Sequence, residues 1–220
     1  MRHHTASISK TYLPEQSLGE EIANSISHGL GALGGIAITP FLIISAIAHG
    51  ASAITGAAIF GASIIILYLC STLYHAFPVS RTKKLFQIFD HSAIYILIAG
   101  TYTPFALGIL QGFWGWTMLV VMWLLAAAGI VFKSVAGTRK NVLSTILYVA
   151  MGWMGILMVK PLINGMEPEG LYWLFGGGVL YTVGVIFYLI KKLPYTHFIW
   201  HLFVLGGTAC HVVTVMRFAN

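Results

Sequence analysis

The sequence predicts an all-α membrane protein, folded as a seven-transmembrane-helix bundle. The composition is the first observation behind this fold class: 58% of the residues are hydrophobic and only 8% are charged, whereas about a quarter of the residues in a soluble domain are charged. The second is the length of the apolar runs, which suffices to cross roughly 30 Å of hydrocarbon with about 20 helical residues. Because lipid cannot satisfy backbone hydrogen bonds, each run is expected to be a helix.

Charged and turn-rich stretches separate the apolar runs. Reading between them gives seven spans, at residues 22–48, 51–76, 88–109, 113–133, 142–163, 170–190 and 196–217. The polar stretch 1–21 is predicted to be a cytoplasmic N-terminal tail, and 22–220 a single seven-helix transmembrane domain. The tail lacks the short apolar core of a cleavable signal peptide, so the first span should be retained.

Small residues and prolines within the spans indicate how the helices pack. Small residues allow helix backbones to approach closely in a membrane. Such residues are Gly31, Gly34, Gly35, Gly176, Gly177, Gly178 and Gly184. Proline inside a helix removes a hydrogen bond and predicts a local kink. These positions are Pro40, Pro104 and Pro161.

The basic residues predict the orientation in the membrane. Of the twelve, Lys160 lies just inside the fifth span and Arg217 at the C-terminal end. The other ten fall in the tail and in the second, fourth and sixth connections, and the first and third connections have none. The residues are Arg2, Lys10, Arg81, Lys83, Lys84, Lys133, Arg139, Lys140, Lys191 and Lys192. By the positive-inside rule the N-terminus is cytoplasmic and the C-terminus is outside. This scatter also accounts for the formal charge of +6 without a basic stripe, so no nucleic-acid partner is expected.

Asp90 is the single aspartate of the chain, and it lies where the third span begins. An ionisable group in or near hydrocarbon costs a few kcal/mol, so it is by default buried, partnered and functional. His75, His197 and His201 are its candidate partners. Measured from the nearest basic residues at 1.5 Å per residue, the first two and Asp90 lie within about two turns of the cytoplasmic interface, and His201 lies about 6 Å deeper.

The histidine spacing indicates a metal site. His197 and His201 are four residues apart, so one helix presents both nitrogens on one face, as zinc-binding helices do. His75 from another helix would complete a set of three, leaving the open position that distinguishes a catalytic zinc site from a structural one. Packed or hydrogen-bonded histidines are the alternative for any one of them alone. Spacing does not distinguish Zn²⁺ from another metal that imidazole binds.

Other polar residues lie near this layer. Glu21, Asn24 and His28 share one face of the first helix, where they either brace the site or cap and pack the helix. His211 lies about 15 Å beyond His201 and is excluded from the same set of ligands. His91 points about 100° away from Asp90 and is interpreted as structural.

Four motifs resemble a known family. They are E-x-x-N-x-x-x-H from Glu21 to His28, STLYH ending at His75, FDHSAIYILIAGTYTPF from Phe89, and HFIWHLFVLGG from His197. In this order they resemble the bacterial hemolysin III branch of the progestin and adipoQ receptor family, from about residue 18 to the C-terminus.

The resemblance implies a seven-helix bundle with zinc near its cytoplasmic side. His75, His197 and His201 match the zinc ligands of the family, and Ser71 and Asp90 match its serine and aspartate near the metal. For a member of the bacterial branch it also implies an integral protein of the inner (plasma) membrane. The family is similar to membrane hydrolases, ceramidases among them, and its bacterial branch is named for haemolysis.

Three functions are compatible with these observations. The first is a zinc-dependent hydrolase of a lipid amide or ester near the cytoplasmic leaflet, in which Asp90 orients water or shuttles its proton and Ser71 hydrogen-bonds near the metal. The second is a pore or cytolysin with a structural zinc site, and the third is a receptor-like sensor. A membrane lipid is the expected partner of the hydrolase, and the sequence indicates no obligate protein partner.

Overall fold

The regular structure of the described residues is helical. The computed structural model describes residues 16–110, 112–137, 141–190 and 192–219. The helices are α1 (Leu18–Ala46), α2 (Ala51–Ala76), α3 (Arg81–Leu107), α4 (Gly112–Ala136), α5 (Asn141–Gly152), α6 (Val159–Gly165), α7 (Pro168–Leu189) and α8 (Thr196–Phe218). Short 3₁₀ turns follow α1 at Ile47–His49 and precede α6 at Met154–Met158.

These helices form the seven predicted spans. The fifth span is divided into α5, a 3₁₀ turn and α6, and each of the other spans is one helix. Helix α1 begins at Leu18, four residues before the predicted boundary of the tail, and residues 1–15 of that tail lie outside the described residues.

Six of the seven spans are long and apolar enough to cross a membrane, counted over the described residues. Helix α3 differs because it carries three basic residues in its first turn and Asp90 further along. It also has more buried residues than any other described helix. From Asp90 onward, most of its polar residues are buried inside the protein, where neighbouring helices replace lipid as their surroundings.

The spans are arranged as a closed ring. Helix α2 packs between α1 and α3, α3 packs on α4, and α7 packs on α8. The fifth span makes lighter contacts with α3, α4 and α7, and α8 returns to pack on α1. The first and last helices are therefore neighbours, which places residues from opposite ends of the chain side by side.

A capping box fixes the start of α1 and joins it to α8. The Ser17 side chain accepts from the backbone N–H of Glu20 at 3.3 Å, and the Glu20 carboxylate accepts from the backbone N–H of Ser17 at 2.8 Å. The same carboxylate accepts from the backbone N–H of Tyr195 at 2.8 Å. Tyr195 immediately precedes α8 and has the left-handed φ of 59°. The beginnings of the two helices are thus tied together.

The predicted close packing at glycine is confirmed at some positions and absent at others. A Cβ added to Gly35 would lie 2.8 Å from the Ile64 side chain of α2, so these helices approach closely there. The same holds on α7 for Gly177 and Gly184. No atom lies within 4 Å of such a Cβ at Gly34 or Gly176, so close packing is not the role of these two residues.

The fifth span is interrupted where the sequence predicts a kink. Pro161 has no N–H, and its ring would clash with the carbonyl four residues earlier in a continuous α-helix. The backbone groups freed by the break are satisfied from α3: the Tyr102 hydroxyl donates to the carbonyl of Gly152 at 2.7 Å and accepts from the N–H of Gly155 at 2.8 Å. Trp153 at the break donates to the Thr182 hydroxyl of α7 at 3.0 Å.

We expect Tyr102→Phe to destabilise the protein by about 1–3 kcal/mol, because both backbone groups at the break would lose their partner. Reversible unfolding in mixed micelles would measure the loss. Tyr172→Phe is the matched control, since Tyr172 is 77% exposed. Equal stability of the two variants would contradict the assigned role of Tyr102.

Candidate metal centre

Three histidines from two helices meet at the end of the bundle where α2 finishes and α8 begins. His75 is in the last turn of α2, and His197 and His201 occupy successive turns of α8. Each offers a ring nitrogen, and these nitrogens all lie within 4.8 Å of one another. The predicted histidine set is therefore close enough to hold a metal ion. His75 and His201 are 3% and 2% exposed, so the cluster is shielded from solvent.

His75 is oriented by a carboxylate from α1. Its Nδ1 lies 2.7 Å from the Glu21 carboxylate, and because a carboxylate accepts, Nδ1 carries the proton. The other nitrogen, Nε2, is buried and has no hydrogen-bond partner within the described part of the chain. A metal ligand of this type normally donates its second N–H to a carboxylate, which fixes the tautomer. The chemistry of His75 therefore fits a metal ion.

Ser27 orients His201 in the way that Glu21 orients His75, through a hydrogen bond with Nδ1 of the ring. The Ser27 hydroxyl donates to the carbonyl of Asn24 at 2.9 Å, and its oxygen lies 3.2 Å from Nδ1 of His201. Because the hydroxyl proton is used on the carbonyl, the imidazole Nδ1–H is the donor to Ser27. Nε2 of His201 then carries the lone pair, as in His75.

Lys83 holds the Glu21 carboxylate in place. Its ammonium lies 3.0 Å from the second carboxylate oxygen of Glu21. It also donates to the carbonyls of Tyr74 and Phe77 at 2.9 and 3.1 Å, at the end of α2. A lysine from α3, a glutamate from α1 and a histidine from α2 thus form one chain of charge-assisted hydrogen bonds. The positive charge of Lys83 offsets the negative charge of Glu21. This lowers the free-energy cost of placing the carboxylate beside the histidines.

Ser71 and Asp90 lie beside the histidines. Ser71 is one turn before His75 on α2, and its hydroxyl lies 2.7 Å from Nδ1 of His28. Asp90 on α3 is 7% exposed, interacts electrostatically with His75 and is close enough to Ser71 for a side-chain hydrogen bond. The structure therefore brings the two predicted catalytic residues to the same place as the predicted ligands.

One face of α1 carries Glu21, Asn24 and His28, and all three contact the site. From the sequence, these residues either brace the site or cap and pack the helix. Glu21 binds His75, and the carbonyl of Asn24 accepts from the serine that binds His201. His28 binds Ser71, and its ring stacks on that of His201 with centroids 3.5 Å apart and planes 7° apart. These contacts favour bracing of the site over simple capping of the helix.

The structure places Lys133 inside a helix and not in the fourth connection. It was counted with the fourth connection, but it lies inside α4 and is only 1% exposed. It interacts electrostatically with Asp90 across the α3–α4 interface. The buried aspartate therefore has a buried cation beside it, as the cost of an isolated charge requires.

An apolar cavity of about 160 Å³ opens from the site into the ring of helices. Asp90, His197 and His201 belong to its wall, and the wall continues along α3 to Phe105 and along α8 to His211. Fifteen residues of α3 correspond to about 22 Å of helix. The cavity therefore runs lengthwise through much of the bundle. His91, interpreted from the sequence as structural, is also part of this wall.

Sequence reasoning gave no role in the site to three residues that contact it. By the positive-inside rule Lys83 and Lys133 are topology signals, and Ser27 occupies a variable position of the motif from Glu21 to His28. A signal existed for Lys133, since it is followed by further apolar residues of the same helix instead of a polar loop. Lys83 and Ser27 carry no such signal, because their contacts depend on how other helices pack.

The fold and the site define a class of protein: an integral membrane protein with a buried histidine cluster at one end of an apolar cavity. The family model described as haemolysin-III related matches residues 16–212. This chain belongs to that family, which confirms the resemblance seen in its motifs.

Individual relatives agree with this assignment. The chain is 51% identical over 201 residues to the Hemolysin-3 homolog of Bacillus subtilis (strain 168), covering 91% of this chain and 94% of that protein. It is 51% identical over 195 residues to Hemolysin-3 of Bacillus cereus, covering 88% and 89%. A more distant relative is monocyte to macrophage differentiation factor of Homo sapiens, 29% identical over 231 residues that cover 98% and 90%. That human protein belongs to the progestin and adipoQ receptor family.

We expect Glu21→Gln to weaken Zn²⁺ binding by about 10–100-fold, because an amide orients and polarises His75 less well than a carboxylate. Competition with a chromophoric chelator would measure the affinity in detergent. Glu169→Gln is the control, since Glu169 is exposed and pairs with Arg217. Equal zinc affinities of the two variants would show that Glu21 does not support the ligand.

Proposed function

We propose that this protein is a zinc-dependent hydrolase that cleaves an amide or ester bond of a membrane lipid. The observation that carries the proposal is the position of the histidine cluster, with Ser71 and Asp90 beside it, at the end of an apolar cavity. A cavity with apolar walls and a few convergent polar groups is the usual form of a binding site for a largely apolar ligand. An acyl chain fits this description.

The proposed reaction takes place near the cytoplasmic leaflet of the bacterial inner (plasma) membrane. Support comes from the alternation of basic residues, which places the start of α1 and the α2–α3 connection on the cytoplasmic side. This alternation does not depend on Lys133, which lies in α4, because Arg139 and Lys140 belong to the fourth connection. The proposed reaction therefore occurs at the depth of lipid carbonyl groups, with the acyl chain extending into the bundle.

His75, His197 and His201 would hold the zinc ion. When bound, zinc supplies a Lewis acid that polarises a carbonyl oxygen and lowers the pKa of a coordinated water towards 7. Asp90 then accepts the proton that water loses on attack and delivers it to the leaving group. Lys133 on the neighbouring α4 supplies a basic side chain that interacts electrostatically with the Asp90 carboxylate.

Ser71 and His28 position the substrate in this proposal. The Ser71 hydroxyl is held by His28 and lies within reach of Asp90. Its oxygen is therefore placed to accept a hydrogen bond from the water beside the lipid carbonyl. Because these partners fix the direction of the hydroxyl before a substrate arrives, the geometry requires little rearrangement during the reaction.

The names of the Bacillus relatives favour a second function, a pore that lyses cells. A water-filled pore needs a polar lining, whereas the wall of this cavity is largely apolar. The hydrolase is therefore the function that the geometry supports better. The pore remains an outcome that the experiments below detect.

We expect Asp90→Asn to retain zinc and to lower the rate of fatty-acid release from long-chain lipid amides and esters by about 10²–10⁴-fold, the usual contribution of a general acid–base group. Metal content and hydrolysis would be measured on the same liposome-reconstituted protein. Because the substitution leaves Lys133 buried without its counter-charge, Asp90→Asn with Lys133→Met serves as a second variant that removes both charges.

Two controls accompany this experiment. Ser134→Ala on the exposed face of α4 is matched to Ser71→Ala, and only the latter should slow hydrolysis. A His75→Ala, His197→Ala, His201→Ala variant should lose both zinc and hydrolysis. Wild-type protein without metal after purification free of chelators, or unchanged hydrolysis in Asp90→Asn, would refute the proposal. Zinc-independent ion conductance in the liposomes would favour the pore.

A further inference from the structure

A second polar group lies in the wall of the cavity, far from the metal cluster. His211 is ten residues beyond His201 on α8, which corresponds to about 15 Å along the helix. It is 7% exposed, and its ring is part of the cavity wall. The cavity wall to which it belongs is largely apolar and also contains Phe105, Leu110, Met158, Leu162, Leu174 and Phe175. An imidazole in such surroundings needs partners for both of its nitrogens.

Only one of these nitrogens has a partner. Nε2 of His211 lies 3.1 Å from the carbonyl oxygen of Leu174 on α7. A carbonyl can only accept, so Nε2 carries the proton and the neutral ring has its lone pair on Nδ1. Nδ1 is buried and has no hydrogen-bond partner among the residues that the structure describes. His211 therefore presents a buried acceptor that lacks a donor, and leaving such an acceptor unpaired is unfavourable.

The packing of the ring determines where that acceptor lies. A Cβ added to Gly177 of α7 would lie 2.5 Å from both Nε2 and Cδ2 of His211. The edge of the ring formed by these two atoms therefore packs against α7. Nδ1 is the ring atom opposite that edge, so it lies on the side away from the α7 backbone. A partner for Nδ1 has to come from another direction than α7.

Tyr181 adds a hydroxyl to the same part of the wall. Its ring centroid is 5.4 Å from that of His211, and both residues belong to the cavity wall. The Tyr181 and Thr208 hydroxyls are 2.8 Å apart, and the Tyr68 hydroxyl donates to Thr208 at 2.8 Å. When Thr208 in turn donates to Tyr181, the proton of Tyr181 is free for another acceptor. This part of the cavity then offers one acceptor and one donor.

We propose that His211 and Tyr181 form a binding site for a hydroxyl group carried part-way along the acyl chain of the bound lipid. A hydroxyl is both donor and acceptor, so it would donate to Nδ1 of His211 and accept from Tyr181. A methylene group at the same place would leave Nδ1 of His211 unpaired, whereas Tyr181 would keep its hydrogen bond with Thr208. The lipid class selected by this site is therefore one with a hydroxylated acyl chain, its hydroxyl about 15 Å from the carbonyl end at the histidine cluster.

The placement of the carbonyl end rests on the proposed function, whereas binding of the hydroxyl does not. The test therefore measures binding and not hydrolysis. Ricinoleic acid has a hydroxyl near the middle of its chain, and oleic acid is the same molecule without that hydroxyl. Each would be used to displace a fluorescent fatty acid from detergent-purified protein, with and without added Zn²⁺.

We expect wild-type protein to bind ricinoleic acid about five to ten times more tightly than oleic acid, the effect of one buried hydrogen bond. His211→Phe should abolish this preference while leaving zinc content unchanged. Tyr181→Phe should reduce the preference and keeps the His211 ring in place, so it provides the test if His211→Phe fails to fold. Tyr172→Phe is the matched control and should retain the full preference.

The outcomes separate this site from the proposed reaction. Equal affinity of wild-type protein for the two acids would overturn the inference, because Nδ1 would then be satisfied without the lipid. A preference that persists in His211→Phe would overturn it as well. A preference lost in His211→Phe, in protein that binds no zinc or hydrolyses no lipid, would support the hydroxyl site and refute the proposed function alone.

Discussion

The structure depends on one constraint: inside a bilayer, every charged or polar group has to find its partner within the protein. The chain of Lys83, Glu21 and His75 meets this constraint at the end of the bundle, with contacts of 3.0 and 2.7 Å. These residues come from α3, α1 and α2. Satisfying the carboxylate therefore also sets the relative positions of three helices, and the same contacts leave one nitrogen of His75 free for a metal ion.

The ring arrangement of the helices accounts for both the shielding of the site and the cavity behind it. Helix α8 contributes two ligands and packs on α1 and α7, so the cluster is enclosed by helices from both ends of the sequence. The fifth span packs lightly and is broken near Gly152. A continuous, closely packed helix in this place would fill the space that the cavity occupies. The irregular span is therefore part of what creates room for a ligand.

Much of the fold and of the ligand set could be predicted, because these features depend on local patterns. Hydropathy locates the spans, and four-residue spacing places His197 and His201 on one face of a helix. Residues whose roles depend on packing between helices could not be found in this way. Ser27 acts through His201, and Tyr102 satisfies the break in another span. Lys133 was misplaced because the positive-inside rule counts charges and does not consider burial. The orientation of the bundle stays a prediction.

The joining of α1 to α8 has a consequence for biosynthesis. His75 belongs to the second span, within the first half of the chain, whereas His197 and His201 belong to the last span. Without the last span, the bundle has one of the three histidines of the cluster, and Glu20 lacks its contact with Tyr195. Capture of a metal ion by the full cluster would therefore require the completed chain, and a chain truncated before α8 would lack two of the three histidines.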